Sequence, residues 1–254
     1  MSEIFAIVNQ KGGVAKTTTT VNLSTALSAM GKKVLVIDLD PQGNSSSGFG
    51  IGQQDRKITI YHLLIGIRAI EEAIIRTIVP NLELITSNTN LSGVESDLLN
   101  VKNREYLLSN LLNNIINIYD YVIIDCPPSL NILTVNALVA CDKVVIPMQC
   151  DFYSLEGLSH LLKTIEIVEK NLNPKIKIAG ILFTMYDKRN RLTDQVEADV
   201  RKCLGQLVFK TVIPRNIKLS EAPSYGQPAM IYDHKCTGSI AYMELTKEIL
   251  GKNI

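Results

Sequence analysis

Short runs of apolar, β-branched residues punctuate the chain, and between them apolar positions recur with helical spacing. The runs IFAIV (4–8), KVLVID (33–38), LELIT (82–86), YVIID (121–125), KVVIPM (143–148), IAGILFTM (178–185) and VFKTVI (208–213) each read as a strand. Their hydrophobicity is continuous instead of alternating, which implies burial on both faces. Segments 16–30, 68–78, 92–117, 154–171, 191–204 and 238–250 carry the helical period. This alternation predicts an α/β fold, a doubly wound, mostly parallel sheet flanked by helices. No Pro/Ser-rich linker or repeat breaks it, so residues 1–254 read as a single domain. The long irregular stretch is 40–57, DPQGNSSSGFGIGQQDRK, and long ordered loops in compact domains are often functional.

Composition narrows the picture slightly. With 254 residues and 46% hydrophobic content the chain can bury a large core, and a net charge of +1 leaves any polyanion site to a local patch. Five cysteines, widely spaced and without a C-x-x-C pair, read as reduced thiols and not as a disulfide framework or zinc site. No apolar run reaches signal-peptide or transmembrane length, so the expectation is a cytoplasmic protein.

The first strand runs into NQKGGVAKTTTT (9–20), a glycine turn opening a helix. That is the setting of a phosphate-binding loop, where backbone N–H groups converge on an anion and the helix dipole favours it. In the pattern G-x-x-x-x-G-K-[ST] the two glycine positions are occupied by Gln10 and Ala15. Lys16 takes the position that contacts the β- and γ-phosphates, and Thr17 the position whose hydroxyl binds Mg²⁺. Two carboxylates follow at strand ends, where a ligand crevice forms in open α/β sheets. Asp40 lies just beyond strand 33–38, in DLDPQGN, and Asp125 closes YVIID as a Walker B acid that holds Mg²⁺ directly or through water.

KGGVAKTT resembles the deviant Walker A box of the ParA/MinD family of P-loop NTPases, in which the opening glycine is not required. The resemblance spans nearly the whole chain. It implies ATP and Mg²⁺ as cofactors and a loop of Lys11, Gly12, Gly13, Val14, Ala15, Lys16, Thr17 and Thr18, with Pro214 lining the base. It also implies that Lys11 reaches across a nucleotide-sandwich homodimer to the partner's phosphates. Lys11, Lys16 and Asp40 are then the catalytic residues, Asp40 orienting the attacking water, and Thr17, Asp40 and Asp125 surround the metal. The family has glycine where this chain has Ala15. Either the local torsion accepts alanine, or its methyl crowds the phosphates.

DFYSLEGLSHL (151–161), FTMYDKRNRLTDQV (183–196) and VIPRNIKLSEAPSYGQPAMIYD (212–233) resemble the short ParA branch of chromosome- and plasmid-partition ATPases. That branch implies non-specific DNA binding by the ATP dimer through Arg189 and Lys218, with Arg215 extending the patch. It further implies hydrolysis stimulated by a ParB-type centromere-binding protein, and a nucleoid-associated location. No N-terminal helix-turn-helix domain is expected. The alternative is a MinD-like membrane-cycling ATPase, which needs a basic amphipathic C-terminal helix. The tail SIAYMELTKEILGKNI offers Lys247 and Lys252 against Glu244 and Glu248 without Trp or Phe, so no stable membrane association is expected.

Overall fold

The computed structural model describes residues 2–251; Met1 and the tail from Lys252 onward lie outside them. Seven strands form one sheet: β1 (Glu3–Ile7), β2 (Val34–Asp38), β3 (Ile74–Arg76), β4 (Leu82–Ile85), β5 (Tyr121–Asp125), β6 (Lys143–Met148) and β7 (Lys177–Phe183). Their order is β3-β4-β2-β5-β1-β6-β7, parallel throughout except for β3, which runs antiparallel to β4.

Successive residues of the central strands serve opposite layers, as the pleat requires. Ile4, Ala6, Leu35 and Ile37 enter one core, with helices Ile132–Ala140, Phe152–Asn171 and Arg191–Leu204 against it. Phe5, Ile7, Val34 and Val36 enter the other, beneath helix α1 (Lys16–Ala29) and the closing helix Thr237–Gly251. That double burial is why the strands read as unbroken apolar runs.

Helix α1 opens with a threonine run that has weak intrinsic helix propensity. Tertiary partners hold it. Thr19 Oγ1 shares a hydrogen bond with the Tyr242 hydroxyl at 3.1 Å, and Thr20 Oγ1 donates to Asp125 Oδ1 at 3.2 Å.

Several expected elements differ. Residues 208–213 form no ladder; Val208 and Pro214 make only single bridges to Ile181 and Tyr186. The amides of Lys210 and Thr211 donate instead to the Glu248 carboxylate, at 2.8 and 3.0 Å, which removes them from any strand pairing. Segment 68–78 is helical only over Ile70–Ala73, after which β-branched Ile74 and Ile75 join the sheet edge as β3. Segment 92–117 breaks into short helices including Val94–Asp97 and Leu107–Leu112, with Asn103 left-handed between them. The 40–57 loop, in turn, contains a helical turn, Asn44–Gly48, and a 3₁₀ turn, Gln53–Asp55.

Candidate functional site

Beyond β1 the chain turns through Gly13 (φ 73°) and Ala15 (φ 65°, ψ 32°) into α1. Ala15 is thus a left-handed alanine at the helix N-cap, a conformation that costs a Cβ-bearing residue roughly 1–2 kcal/mol. A Cβ on Gly12 or Gly13 would meet nothing within 4 Å, so the loop faces open space. That space is a cavity of about 350 Å³. Gly12, Gly13, Ala15, Lys16, Thr17, Thr18 and Asp40 converge on it, joined by Gln42, Asn44, Pro128 and Met185, which the sequence did not single out. Val14 is buried away from it, its carbonyl accepting from Thr184 Oγ1 at 3.0 Å.

Sheet register sets the acidic wall. β2 and β5 pair with Asp38 opposite Asp125, which places two fully buried carboxylates side by side at the strand ends. Asp125 accepts from Thr17 Oγ1 at 2.8 Å and from Ser45 Oγ at 2.7 Å. Asp38 accepts from the amide and hydroxyl of Ser46, at 2.8 and 2.7 Å. Burial pushes both carboxyls above their ordinary range; the charge of Asp125 adds to the rise at Asp38, and that of Asp40 to the rise at Asp125. Lys16 is pulled below the ordinary lysine value by burial, against the opposing field of Asp125. Its Nζ donates to the Lys11 carbonyl at 3.0 Å. Asp40, only 8% exposed, accepts from the Gln42 amide at 2.9 Å.

Lys11 turns away from the cavity. Its Nζ pairs with Asp151 Oδ2 at 2.5 Å, at the N-cap of helix Phe152–Asn171. Gln149 Nε2 steadies the loop from the same side, donating to the Gly13 carbonyl at 2.9 Å.

None of Arg189, Arg215 and Lys218 lines the cavity. The Tyr186–Pro214 bridge, with Arg215 N donating to Tyr186 O at 3.0 Å, lays two loops together and makes Arg189 and Arg215 neighbours of Asp187. Arg189 grips Asp187 with two bonds, of 2.9 and 2.7 Å, while its side chain stays 88% exposed. Those bonds hold the Asp187 carboxyl down to about 2, with Arg215 contributing. Lys218 pairs with Glu221 at 2.9 Å. Pro214, expected beside the base and not the phosphates, is not in this cavity's lining; Met185, left-handed at φ 50°, is.

Sequence reading missed the hydroxyls of Ser45 and Ser46, although the serine run in GNSSSG was a usable signal once that stretch is helical. Gln149, Asp151 and Met185 carried no such signal, because their roles depend on how distant segments meet.

A family model described as an AAA domain matches residues 2–178. The chromosome partitioning protein ParA of Caulobacter vibrioides is 51% identical over 251 residues, spanning 98% of this chain and 94% of that protein. The sporulation initiation inhibitor protein Soj of Bacillus subtilis is 49% identical over 249 residues, spanning 98% of each chain. Among solved structures, the cobyrinic acid a,c-diamide synthase of Mycobacterium smegmatis, with bound ATP analog and magnesium, superposes with a TM-score of 0.87. It is 35% identical and covers 98% of this chain and 95% of its own. With a phosphate loop, strand-end carboxylates and full-length relatives in agreement, the chain belongs to the ParA/Soj family of partitioning ATPases.

Proposed function

We propose that this protein binds and hydrolyses ATP with Mg²⁺, dimerises as a nucleotide sandwich, binds DNA without sequence preference in that state, and is released when a ParB-type partner stimulates hydrolysis. The observation that carries the reading is one cavity uniting the glycine turn, Lys16 at the start of α1, Thr17 and Asp40, with Asp125 bonded to Thr17.

The metal fits the residues present. A hydroxyl and a carboxylate oxygen stand 2.8 Å apart beside the cavity, and Lys16 lies in the field of both Asp125 and Asp40. Mg²⁺ favours oxygen ligands of this kind, with one or two carboxylates completed by phosphate and water. When bound, it supplies electrostatic stabilisation of charge on the phosphate oxygens. Thr17 and Asp125 would hold it, and Asp40, which lines the same cavity, would orient water. Lys16 exchanges the Lys11 carbonyl for phosphate. Lys11 must leave Asp151 to reach a partner's phosphates, which makes hydrolysis depend on dimer assembly.

DNA binding rests on Arg189, Arg215 and Lys218, a set that a dimer would double; Arg189 and Arg215 both stand beside Asp187. A MinD-like cycle is less well supported. The closing helix buries Tyr242, Leu245 and Ile249 in the core on that face of the sheet, leaving those apolar residues unavailable to a membrane interface.

The test is equilibrium binding to a random-sequence duplex with ATP, ADP or no nucleotide, at two salt concentrations. ATP-specific binding that weakens steeply with salt is expected. Equal binding in all three nucleotide states would overturn the cycle.

A further inference from the structure

Behind the phosphate site lies a buried cation that neither the loop motif nor the carboxylates account for. Arg56 is 6% exposed, yet among the described residues it forms no ion pair with a carboxylate. Its guanidinium spends its donors on the segment that follows Asp40 and on Ser87 beyond β4. Nε and Nη2 donate to the Ile51 carbonyl at 3.2 and 2.8 Å, Nη2 to Ser47 Oγ at 2.7 Å, and Nη1 to the Ser87 carbonyl at 3.1 Å. Gly43 completes the socket: it is left-handed at φ 63°, and a Cβ there would collide with Nη1. Burying a guanidinium without a carboxylate partner is a poor way to gain stability, since hydrogen bonds to neutral acceptors only partly offset the lost hydration.

The clamped parts are the ones that address the carboxylates. Ser47 belongs to the helical turn Asn44–Gly48, whose Ser45 bonds Asp125 and whose Ser46 bonds Asp38. Ser87, held through its carbonyl by Arg56, donates its amide to Ser46 Oγ at 3.2 Å. Gly43 is linked to the residue ahead of the turn, its amide donating to the Asp40 carbonyl at 2.9 Å. Asp38 is the carboxylate whose charge reaches the guanidinium.

We infer that Arg56 is a positioning residue for ATP hydrolysis. It acts through Ser47, Ile51 and Ser87 to hold the Asp40–Gly48 segment against the phosphate cavity, so that Asp40 and the serine-capped carboxylates stand in register with Lys16 and Thr17. The inference rests on the ATPase reading above. A planar fork reaches three separate acceptors at once, which a lysine's point charge cannot do.

The experiment compares wild type, Arg56→Lys and Arg56→Met in steady-state ATP turnover at saturating nucleotide, in binding of a fluorescent ATP analogue, and in thermal unfolding. Misplacement of a catalytic group by about 1 Å costs on the order of 100-fold. Arg56→Met should therefore lose about 10- to 100-fold in kcat with analogue affinity nearly unchanged, and Arg56→Lys should lose less. A variant that melts earlier but turns over at the wild-type rate below its melting temperature would assign Arg56 to stability alone and overturn the inference. Should Arg56→Met not fold, Arg56→Lys decides by the same criterion. If wild type neither binds the ATP analogue nor turns over ATP, the ATPase reading fails by itself, and hydrogen exchange of the amides of residues 43–51 then judges the clamp. Faster exchange in Arg56→Lys supports it; exchange unchanged from wild type overturns it.

Discussion

The phosphate cavity and the basic surface of this molecule use charge in opposite ways. At the cavity, Lys16 and Asp40 in its lining and the fully buried Asp38 and Asp125 behind it are held by named partners before any ligand arrives. On the basic surface, Arg189 and Lys218 are solvated, and each is matched by a carboxylate close in sequence, Asp187 and Glu221. Buried charges interact strongly and are poorly screened, so each residue of the cavity should matter individually. Exposed pairs are worth little each, so the surface should act as a sum, weakened by salt.

The sharpest way to break this contrast is at Lys16. Lys16→Ala should lower ATP-dependent DNA binding about 100-fold or more, to the level without nucleotide, because the charge-assisted contacts of one buried lysine have no substitute. DNA titration with and without ATP reads this directly, and a small loss would place nucleotide recognition elsewhere. Asp40→Ala should instead leave ATP-dependent binding intact while slowing turnover by about 100-fold. A variant that keeps normal turnover would remove Asp40 from the reaction.

A third test uses pH in the nucleotide- and metal-free protein. Burial raises the Asp125 carboxyl above its unfolded value, so between those two values the folded state binds more protons than the unfolded one. The stability contributed by this group therefore falls as pH rises from the ordinary carboxylate range through the raised value. Asp125→Asn should remove that slope and be more stable than the parent by roughly 1–3 kcal/mol at neutral pH. Urea unfolding at acid and neutral pH measures it; parallel curves for the two proteins would contradict the assignment.

Smaller effects follow at Ala15 and Arg189. Ala15→Gly should relieve the left-handed strain and stabilise the fold by up to about 1 kcal/mol, a rise of about 2–4 °C in Tm, after the entropy that glycine adds to the unfolded chain. Tighter nucleotide binding in the same variant would show that the methyl also crowds the ligand. Arg189→Ala should reduce the slope of log affinity against log salt by about 1, and Asp187→Asn should move DNA affinity the other way. If Arg189→Ala abolished binding outright, the surface would not be additive and the contrast with the cavity would fail.

How much of this was legible in advance depended on how local the cause was. The continuous apolar runs located six of the seven strands, because burial on both faces leaves a signature in each run. A glycine turn opening helix α1, and Asp40 and Asp125 at or just past the ends of strand runs, could be placed from the sequence because a strand end and a helix start are each encoded within a short window. The edge strand β3 and the lost strand at 208–213 were not. The first depends on pairing with β4, and the second on Glu248, thirty-eight and thirty-seven residues away from the amides of Lys210 and Thr211, which it captures.

The sequence by itself determined the layered α/β architecture and the glycine turn that opens helix α1, since each is encoded within a short window by periodicity or spacing. Tertiary structure alone decided which side chains meet. It set Asp38 beside Asp125 through strand register, turned Lys11 onto Asp151, put Ala15 in a left-handed torsion, and drew Arg56 beneath the Asp40–Gly48 segment. These juxtapositions join positions up to 140 residues apart, and only the packing of the sheet and its helices brings them within hydrogen-bond reach.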